Sequence, residues 1–337
     1  MLCLNSFDEV WIKMKAVRIR HFGPPEVVVL DEISKPSPAS GEVLVRVVAA
    51  GVAPWDAIIR EGKSVVSPQP PLTLGSDLSG FIEAVGPDVT TFKLGDEVYG
   101  VTNPQFCGAQ AEYAVASAGM IAPKPQSLTH IQAASAPVVA VTAWQMLFQY
   151  ALAKNSDVVM ITGAAGNVGA YAVQMALNAG LQVVAVARPQ DAELLRSLGV
   201  TKMVDSSADD FRAKLSPVDV LLDTVGGTTV LQCVEAVKPG GRLVSVVSAI
   251  PLPKRTDMQS SFFCAEVTSQ RLRTLASLFQ TGAISARVGS VLPLSEAGRA
   301  HEMLGGAPHR KGKIVLQVSE SMMPGWRRNS SPGSSRE

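Results

Sequence analysis

The stretch Val158-Val159-Met160-Ile161-Thr162-Gly163-Ala164-Ala165-Gly166-Asn167-Val168-Gly169 decides the fold of this chain. Its first five residues are apolar or β-branched and predict a buried strand, and the glycine-rich residues after them predict a tight turn into a helix. Gly163 permits the sharp turn, and the small residues 164–165 let the backbone approach a pyrophosphate. Gly166 and Gly169 permit close packing of the helix on the strand. Unpaired N–H groups at the start of the helix would face the anion, so the stretch predicts a phosphate-binding turn.

The segments around this turn alternate between strand and helix patterns, which a lone glycine motif does not require. The helix Gly169–Asn178 is followed by the strand Gln182–Ala187, about 20 residues on, as in dinucleotide-binding folds. Such alternation indicates an α/β domain with a parallel, doubly wound sheet covered on both faces. The other predicted elements are a helical stretch over Ala133–Tyr150, the helices Ala192–Leu198 and Arg271–Gln280, and strands at Lys202–Val204, Val218–Leu222, Arg242–Val247 and, at the edge of the sheet, Phe262–Val267.

Residues 15 to about 120 have a different texture, with short strands broken by Gly and Pro. Glu42–Val48 and Gly80–Val85 are examples, and the even spacing indicates a barrel-like β domain. A last strand, Gly312–Val318, ends the ordered pattern. Residues 1–13 lack the features of a secretory signal and are expected to be a leader outside the fold, and residues 321–337 are expected to be a flexible tail.

Composition places the chain among ordinary folded proteins. Hydrophobic residues make up 47% and charged residues 18%, which is enough for a large core. The 30 Lys and Arg residues nearly balance the 29 Asp and Glu residues, so neither a nucleic acid nor a membrane is expected as a partner. The four cysteines are far apart, which argues against a disulfide framework and favours a cytoplasmic location.

The strand that follows the phosphate-binding turn ends in a basic residue, Arg188. NAD-preferring sites usually carry Asp or Glu near this position, bonded to the ribose hydroxyls. A guanidinium can instead pair with a 2′-phosphate, so the sequence favours NADPH. Two alternatives stay open: Arg188 is a solvated loop charge, or Asp191, three residues on, competes for the ribose.

A series of short segments in a fixed order, along residues 15 to 318, carries a family resemblance. The series resembles the medium-chain dehydrogenase/reductase superfamily, on the branch of the zinc-free quinone oxidoreductases and zeta-crystallins. The resemblance implies a GroES-like, β-rich catalytic domain wrapped around a Rossmann domain, with cofactor and substrate in the cleft between them. The segments are Gly23–Val27, Gly75–Gly86, Gly95–Tyr99, Ala111–Tyr113, Ala164–Gly169, Asp223–Gly227, Lys238–Gly241 and Gly312–Leu316.

The resemblance also implies where the domains and the functional residues lie. The catalytic domain is expected at 14–137 and 269–320 and the Rossmann domain at 138–268, with a homodimer formed through Phe262–Val267. Ser206 stands where relatives carry a Tyr that assists the 2′-phosphate, so NADPH preference depends mainly on Arg188. Carried over by position, the cofactor contacts are Thr142, Ala164, Ala165, Gly166, Asn167, Val168, Gly169, Arg188, Ser206, Thr224, Val225, Val246, Val247, Ser248 and Lys313.

The same resemblance indicates where zinc ligands would lie if the chain bound zinc. Zinc alcohol dehydrogenases of the superfamily place a Cys after the first catalytic-domain strands and a Gly-His-Glu further on. Here the matching segments read Gly51-Val52-Ala53-Pro54-Trp55-Asp56 and Gly75-Ser76-Asp77, with neither Cys nor His. Zinc needs converging thiolate, imidazole or carboxylate groups, so the sequence predicts no metal and favours reduction of an already activated acceptor.

The substrate pocket is expected around Ala53, Trp55, Asp56 and Ile58. Relatives often carry Asn and Tyr in place of Ala53 and Ile58, so two polar groups that could position substrate are absent. Trp55 is either a stacking wall for a flat acceptor or a plain core aromatic. Asp56 is expected to hold its loop by hydrogen bonds to backbone, and no residue is assigned a catalytic role.

Together these features predict a zinc-independent oxidoreductase that transfers hydride from NADPH to a quinone or a related activated carbonyl acceptor. One alternative is an alkenal or enone double-bond reductase, and a weaker one is the enoyl reductase module of a larger synthase. An alternative of another class is an NADPH sensor or a crystallin-like structural protein, which would bind the cofactor with little turnover.

Overall fold

The computed structural model describes residues 12–66, 68–250 and 255–319. The expected tail, 321–337, lies outside these ranges, and so does the expected leader except for its last two residues. Lys13 already belongs to the first strand, where it pairs with Ser34, one residue before the start that the sequence predicts for the fold. In the described ranges, no helix combines the length and the apolar character needed to cross a membrane.

The elements are numbered in chain order. The strands are β1 (Lys13–Ile19), β2 (Val29–Ser34), β3 (Glu42–Val52), β4 (Leu72–Thr73), β5 (Asp77–Val85), β6 (Glu97–Val101), β7 (Tyr113–Ser117), β8 (Ile121–Pro123), β9 (Val158–Thr162), β10 (Gln182–Ala187), β11 (Lys202–Asp205), β12 (Val218–Asp223), β13 (Val237–Ser245), β14 (Gln259–Phe262), β15 (Val288–Pro293) and β16 (Lys313–Gln317). The helices are α1 (Pro54–Arg60), α2 (His130–Ala134), α3 (Pro137–Trp144), α4 (Asn167–Asn178), α5 (Ala192–Ser197), α6 (Gly227–Cys233), α7 (Ser269–Gln280) and α8 (Ala297–Leu304).

Two β-sheets form the part of the molecule that the sequence predicts as β-rich. β1 lies between β2 and β4 in a small antiparallel sheet. The larger sheet has the order β15-β16-β3-β5-β6-β8, with β7 also pairing with β3. β16, near the end of the described chain, pairs antiparallel with β3, near its start, so both ends of the described chain contribute to this sheet.

The middle of the chain forms a parallel sheet of the order β11-β10-β9-β12-β13-β14. Its strands alternate their side chains between two cores, as a sheet covered on both faces requires. Val159 and Ile161 of β9 face a core shared with α3, α4 and α7, whereas Met160 faces a core with α6. The α/β class with a GroES-like part and a doubly wound parallel sheet is therefore confirmed, while the exact domain boundaries stay a prediction.

Two of the predicted elements are wrong in their extent. The helical stretch over Ala133–Tyr150 is broken between α2 and α3, because Pro137 is the first residue of α3, a position at which proline is well tolerated; α3 then continues to Tyr150 as a π-helix, Gln145–Tyr150. The edge strand at Phe262–Val267 lies instead at Gln259–Phe262. The chain then turns inward, because Phe263 stacks on Tyr150 with ring centroids 4.1 Å apart, so it cannot continue along the edge.

A buried contact between α1 and α8 fixes the helix that follows the expected substrate loop. Arg60 Nη1 lies 3.0 Å from His301 Nδ1, and Arg60 Nε donates to the carbonyl oxygen of Gly23 at 3.0 Å. Since arginine only donates, His301 Nδ1 accepts, and its neutral ring carries the proton on Nε2. Burial, helped by the charge of Arg60, lowers the pKa of His301 to about 3.

The contact between Arg60 and His301 should stabilise the fold in a pH-dependent way. At pH 7 we expect His301→Ala to lower the free energy of unfolding by about 2–3 kcal/mol, because it leaves a cavity and an unpaired donor on Arg60. A pKa depressed in the folded state means that the native contribution of His301 is present above the unfolded pKa and lost as the pH falls. At pH 5 the difference between wild type and variant should therefore shrink by about 2 kcal/mol.

Urea unfolding at both pH values measures this, with the exposed His21→Ala as the matched control. A penalty for His301→Ala that is equally large at both pH values would contradict the assigned ring state.

Candidate active site

The glycine-rich turn between β9 and α4 has the geometry of an anion-binding site. Gly163 has a φ of +63°, and its carbonyl oxygen accepts the N–H of Gly166 at 2.8 Å. A Cβ atom on Gly169 would lie 2.2 Å from that same oxygen, so only glycine lets α4 pack this close to the turn. The first N–H groups of α4 lack partners within the helix and carry the positive end of its dipole.

A cleft of about 610 Å³ opens in front of this turn, at the carboxyl ends of β9, β10 and β11. Ligands of open α/β sheets bind at this edge. The residues of the sequence prediction that line the cleft are Ala165, Gly166, Asn167, Arg188, Ser206 and Val225. Asp191, the possible competitor for the ribose, also lines the cleft, together with residues that were not predicted, which include Ser207, Thr229, His309 and Lys311.

Basic residues from both parts of the molecule meet at one end of the cleft. Arg188 is exposed directly after β10, and Ser206 follows β11, with its N–H on the Ala187 carbonyl at 3.0 Å. Lys311, just before β16, forms an ion pair with Asp191. The carboxylate that the sequence offers as a competitor for the ribose is therefore engaged by a lysine from the other part of the chain.

A buried carboxylate outside the set of predicted site residues joins three strand ends at this edge. Asp223 accepts hydrogen bonds from Thr162 Oγ1 at 2.8 Å and, through its other oxygen, from Ser245 Oγ at 2.8 Å. It also accepts the N–H groups of Val225 and Gly226. Its signal in the sequence is an aspartate that ends an apolar strand just before the segment 224–227.

The other predicted cofactor residues lie around the same edge, at different depths. Thr224 Oγ1 donates to the Thr162 carbonyl at 2.7 Å, and residues 246–248 directly follow β13. Thr142 lies within α3, where its hydroxyl donates to the Val138 carbonyl, and Ala164 is fully buried beneath the turn. The cofactor role of each residue stays a prediction.

Lys313 is held by an ion pair inside the protein. Its Nζ lies 2.6 Å from Asp77 Oδ2, and both side chains are only 1% exposed. The other oxygen of Asp77 accepts the N–H of Val138 at the start of α3, 3.1 Å away. The ammonium group therefore already has an anionic partner, and the expected contact of Lys313 with the cofactor stays a prediction.

The expected substrate residues cluster around this ion pair, with one exception. The Trp55 ring covers the Lys313 ammonium at 4.2 Å, and its indole N–H donates to Ser76 Oγ at 3.1 Å. Asp56 is fully buried and accepts the N–H of Ala53 at 2.8 Å, as its loop-holding role requires. Ile58 is 46% exposed on α1.

The environment of Asp56 favours its neutral form. Burial raises the pKa of Asp56 to about 7, while the nearby Lys313 charge and the Ala53 N–H oppose the rise. A carboxyl group with such a pKa can exchange a proton near neutral pH. Its full burial within α1 and its bond to the backbone mark it as a structural group of the loop.

The two positions that correspond to zinc ligands do not fit that metal. Ala53 offers only a methyl group, and the Ser76 hydroxyl is engaged by Trp55. Among the described residues, no three His, Cys, Asp or Glu side chains converge as metal ligands would. Zinc sites require thiolate, imidazole or carboxylate donors, which these two positions lack.

Two family models of dehydrogenases match parts of this chain. Residues 39–126 match the family described as "Alcohol dehydrogenase GroES-like domain", and residues 198–316 match "Zinc-binding dehydrogenase". The quinone oxidoreductase of Sus scrofa is 30% identical over 322 residues, which cover 90% of this chain and 97% of that protein.

Solved structures of oxidoreductases have a similar fold. The quinone oxidoreductase from Coxiella burnetii superposes with a TM-score of 0.85 at 33% identity, covering 91% of this chain and 100% of that one. The CurK enoyl reductase superposes with a TM-score of 0.81 at 25% identity, covering 91% and 99%.

The chain belongs to the medium-chain dehydrogenase/reductase superfamily. It is an oxidoreductase of that superfamily, and its cofactor is a nicotinamide dinucleotide. The cleft fits such a cofactor, because the glycine-rich turn offers N–H groups to a pyrophosphate and the ends of β10 and β11 offer space and polar groups to an adenosine.

The second prediction tests the turn of this superfamily member. We expect Gly169→Ala to weaken dinucleotide binding by about tenfold or more, because the new methyl group would collide with backbone and push α4 from the turn. Calorimetric titration with ADP-ribose measures the affinity. Gly298→Ala on α8 is the matched control, since its Cβ meets no atom within 4 Å. Equal affinities in the two variants would refute the packing constraint.

Proposed function

We propose that this chain is an NADPH-dependent reductase whose acceptor is a quinone or a related activated carbonyl compound. The observation that carries the proposal is the cleft itself, in which a phosphate-binding turn and Arg188 share one wall. The residues Ala53 and Ser76 offer no metal ligand for polarising an alcohol. Relatives named quinone oxidoreductases, which match nearly their whole length, support the choice of acceptor.

The charges at the adenosine end of the cleft support NADPH over NADH. Arg188 and Lys311 both line this end, beside the hydroxyl groups of Ser206 and Ser207. The one carboxylate among these cleft residues, Asp191, is paired with Lys311 and so is not free to accept the ribose hydroxyls. Because Lys311 and Asp191 neutralise each other, Arg188 leaves this end with a net positive charge, which favours a 2′-phosphate beside the two hydroxyl groups.

When bound, the nicotinamide supplies the hydride, and the protein supplies position and a dry environment. In the proposed enzyme, the turn and the first residues of α4 hold the phosphates, and the segments after β12 and β13 flank the nicotinamide end. Trp55, whose ring packs against two of the hydrophobic cores, forms an apolar wall for a flat acceptor. No side chain of the described pocket is assigned as the proton donor.

A second candidate is an alkenal or enone reductase. Ala53 and Ile58 are apolar, so no polar side chain at these two positions selects a quinone over an enone. The structural match to the CurK enoyl reductase supports this candidate. The third candidate, an NADPH sensor or a crystallin-like structural protein, would use the cofactor cleft without turnover.

We further propose a homodimer located in the cytoplasm, without nucleic-acid or membrane partners. β14 is the edge strand of the parallel sheet, and its Phe262 is 45% exposed. An exposed edge strand with an apolar side chain favours pairing with a second copy. The sparse cysteines and the balanced charge support the location and the absence of polyanionic partners.

A turnover assay tests the function. The purified chain is mixed with NADPH, and oxidation is followed by absorbance with p-benzoquinone and with an alkenal. Faster reduction of the quinone supports the proposal, and faster reduction of the alkenal favours the second candidate. Stoichiometric binding without turnover of any acceptor overturns both in favour of the sensor or structural protein.

The third prediction concerns cofactor choice. We expect Arg188→Ala to weaken NADPH binding by about tenfold and to leave NADH binding unchanged, because only NADPH carries the 2′-phosphate. Fluorescence titration with both cofactors measures the two affinities. The exposed Arg196→Ala on α5 is the control, since it lies outside the cleft. Equal losses for the two cofactors would show that Arg188 does not read the 2′-phosphate.

A further inference from the structure

Arg287 lies beside the phosphate-binding turn, although it comes from the other part of the chain. It directly precedes β15, and its carbonyl oxygen accepts the N–H of Lys313 at 3.0 Å. Its side chain reaches across to the turn, where Nη1 donates a weak hydrogen bond to the Ala165 carbonyl oxygen at 3.4 Å. The guanidinium group therefore stands between the catalytic sheet and the start of α4.

The charge of this guanidinium is not compensated. Arg287 is half-buried, and burial lowers its pKa, while Tyr171 and Asp191 act in the opposite direction. Within the described ranges, no carboxylate lies within ion-pair distance of Arg287. The buried Lys313, by contrast, has Asp77 at 2.6 Å, and Arg242 has Asp157 at 2.7 Å.

A partly desolvated cation without a counter-ion is unfavourable unless a ligand supplies the anion. The neighbouring N–H groups of the turn can also bind an anion. Ala165, one of the residues that line the cleft, accepts the hydrogen bond from the guanidinium. Five donors on one planar group suit phosphate oxygens well. The weak bond to the Ala165 carbonyl uses one donor and leaves the others available.

We propose that Arg287 is a cofactor-binding residue, which holds the pyrophosphate of the dinucleotide against the turn from the catalytic side of the cleft. The inference rests on the proposed use of a dinucleotide but not on its reduction chemistry or on NADPH preference. Because Arg287 and the turn belong to different parts of the molecule, the shared anion ties the β15–β16 side to α4.

The test uses two ligands that separate the phosphates. ADP-ribose carries the pyrophosphate without the 2′-phosphate, and adenosine 2′-monophosphate carries the reverse. We expect Arg287→Gln to weaken ADP-ribose binding about tenfold and to leave adenosine 2′-monophosphate binding unchanged, as measured by calorimetry on the full chain. Arg287→Lys, which keeps the charge, should weaken ADP-ribose binding by less than about fivefold.

Arg273→Gln, an exposed arginine on α7, is the matched control and should bind both ligands like wild type. Unchanged ADP-ribose binding in Arg287→Gln overturns the proposal, and so do equal losses for the two ligands, which indicate general damage. The thermal unfolding midpoint of each variant is measured alongside. Because no turnover is measured, a chain that reduces no acceptor can still bear out the role of Arg287, and an active chain can still refute it.

Discussion

The ion pair between Lys313 and Asp77 is the constraint on which the arrangement of the cleft depends. The two residues are 236 positions apart in sequence, and both are almost fully buried. Asp77 begins β5 and also binds the N–H of Val138, where α3 starts, so one carboxylate joins the catalytic sheet to the helix that leads into the parallel sheet. The Trp55 ring completes the enclosure of the ammonium. Removing either charged partner would leave a buried charge without compensation, which costs far more than the intact pair contributes.

Two further buried carboxylates fix loops in a comparable way. Asp56 holds the start of α1 through the Ala53 N–H, and Asp223 collects donors from Thr162, Ser245 and the segment after β12. In each case, a side chain satisfies backbone or hydroxyl donors that a loop cannot satisfy by itself. The loops that flank the cleft are therefore held by short, directional contacts, which suits a site that must align two reactants within a fraction of an ångström.

A feature of the fold or of the cleft can be predicted from the sequence where it is caused by residues that are neighbours in the chain. The turn at 158–169 is a local signal, because glycine at Gly163 and Gly169 is demanded by backbone geometry within one strand and one helix. Phe262–Val267 has the composition of a strand, yet the stacking of Phe263 on Tyr150, far away in sequence, turns it inward. The pairing of Asp191 with Lys311 and the approach of Arg287 to Ala165 are equally remote in sequence. Such partners become visible only when the sheets are assembled, since no periodicity or spacing encodes them.

The charged groups around the cleft differ in whether they have a partner inside the protein. Arg287 and Lys311, two of the cations near the cleft, come from segments next to β15 and β16, whereas the turn belongs to the parallel sheet. Lys311 is already paired with Asp191 of the parallel-sheet side, whereas Arg287 has no ion-pair partner among the described residues, so a bound pyrophosphate would compensate the charge of Arg287. The polar groups next to Trp55 already have partners within the protein, since the Lys313 ammonium is paired with Asp77 and the indole N–H donates to Ser76. The charges near Trp55 are thus balanced inside the protein, whereas Arg287 beside the phosphate-binding turn is the cation of this group that an anionic ligand can still compensate.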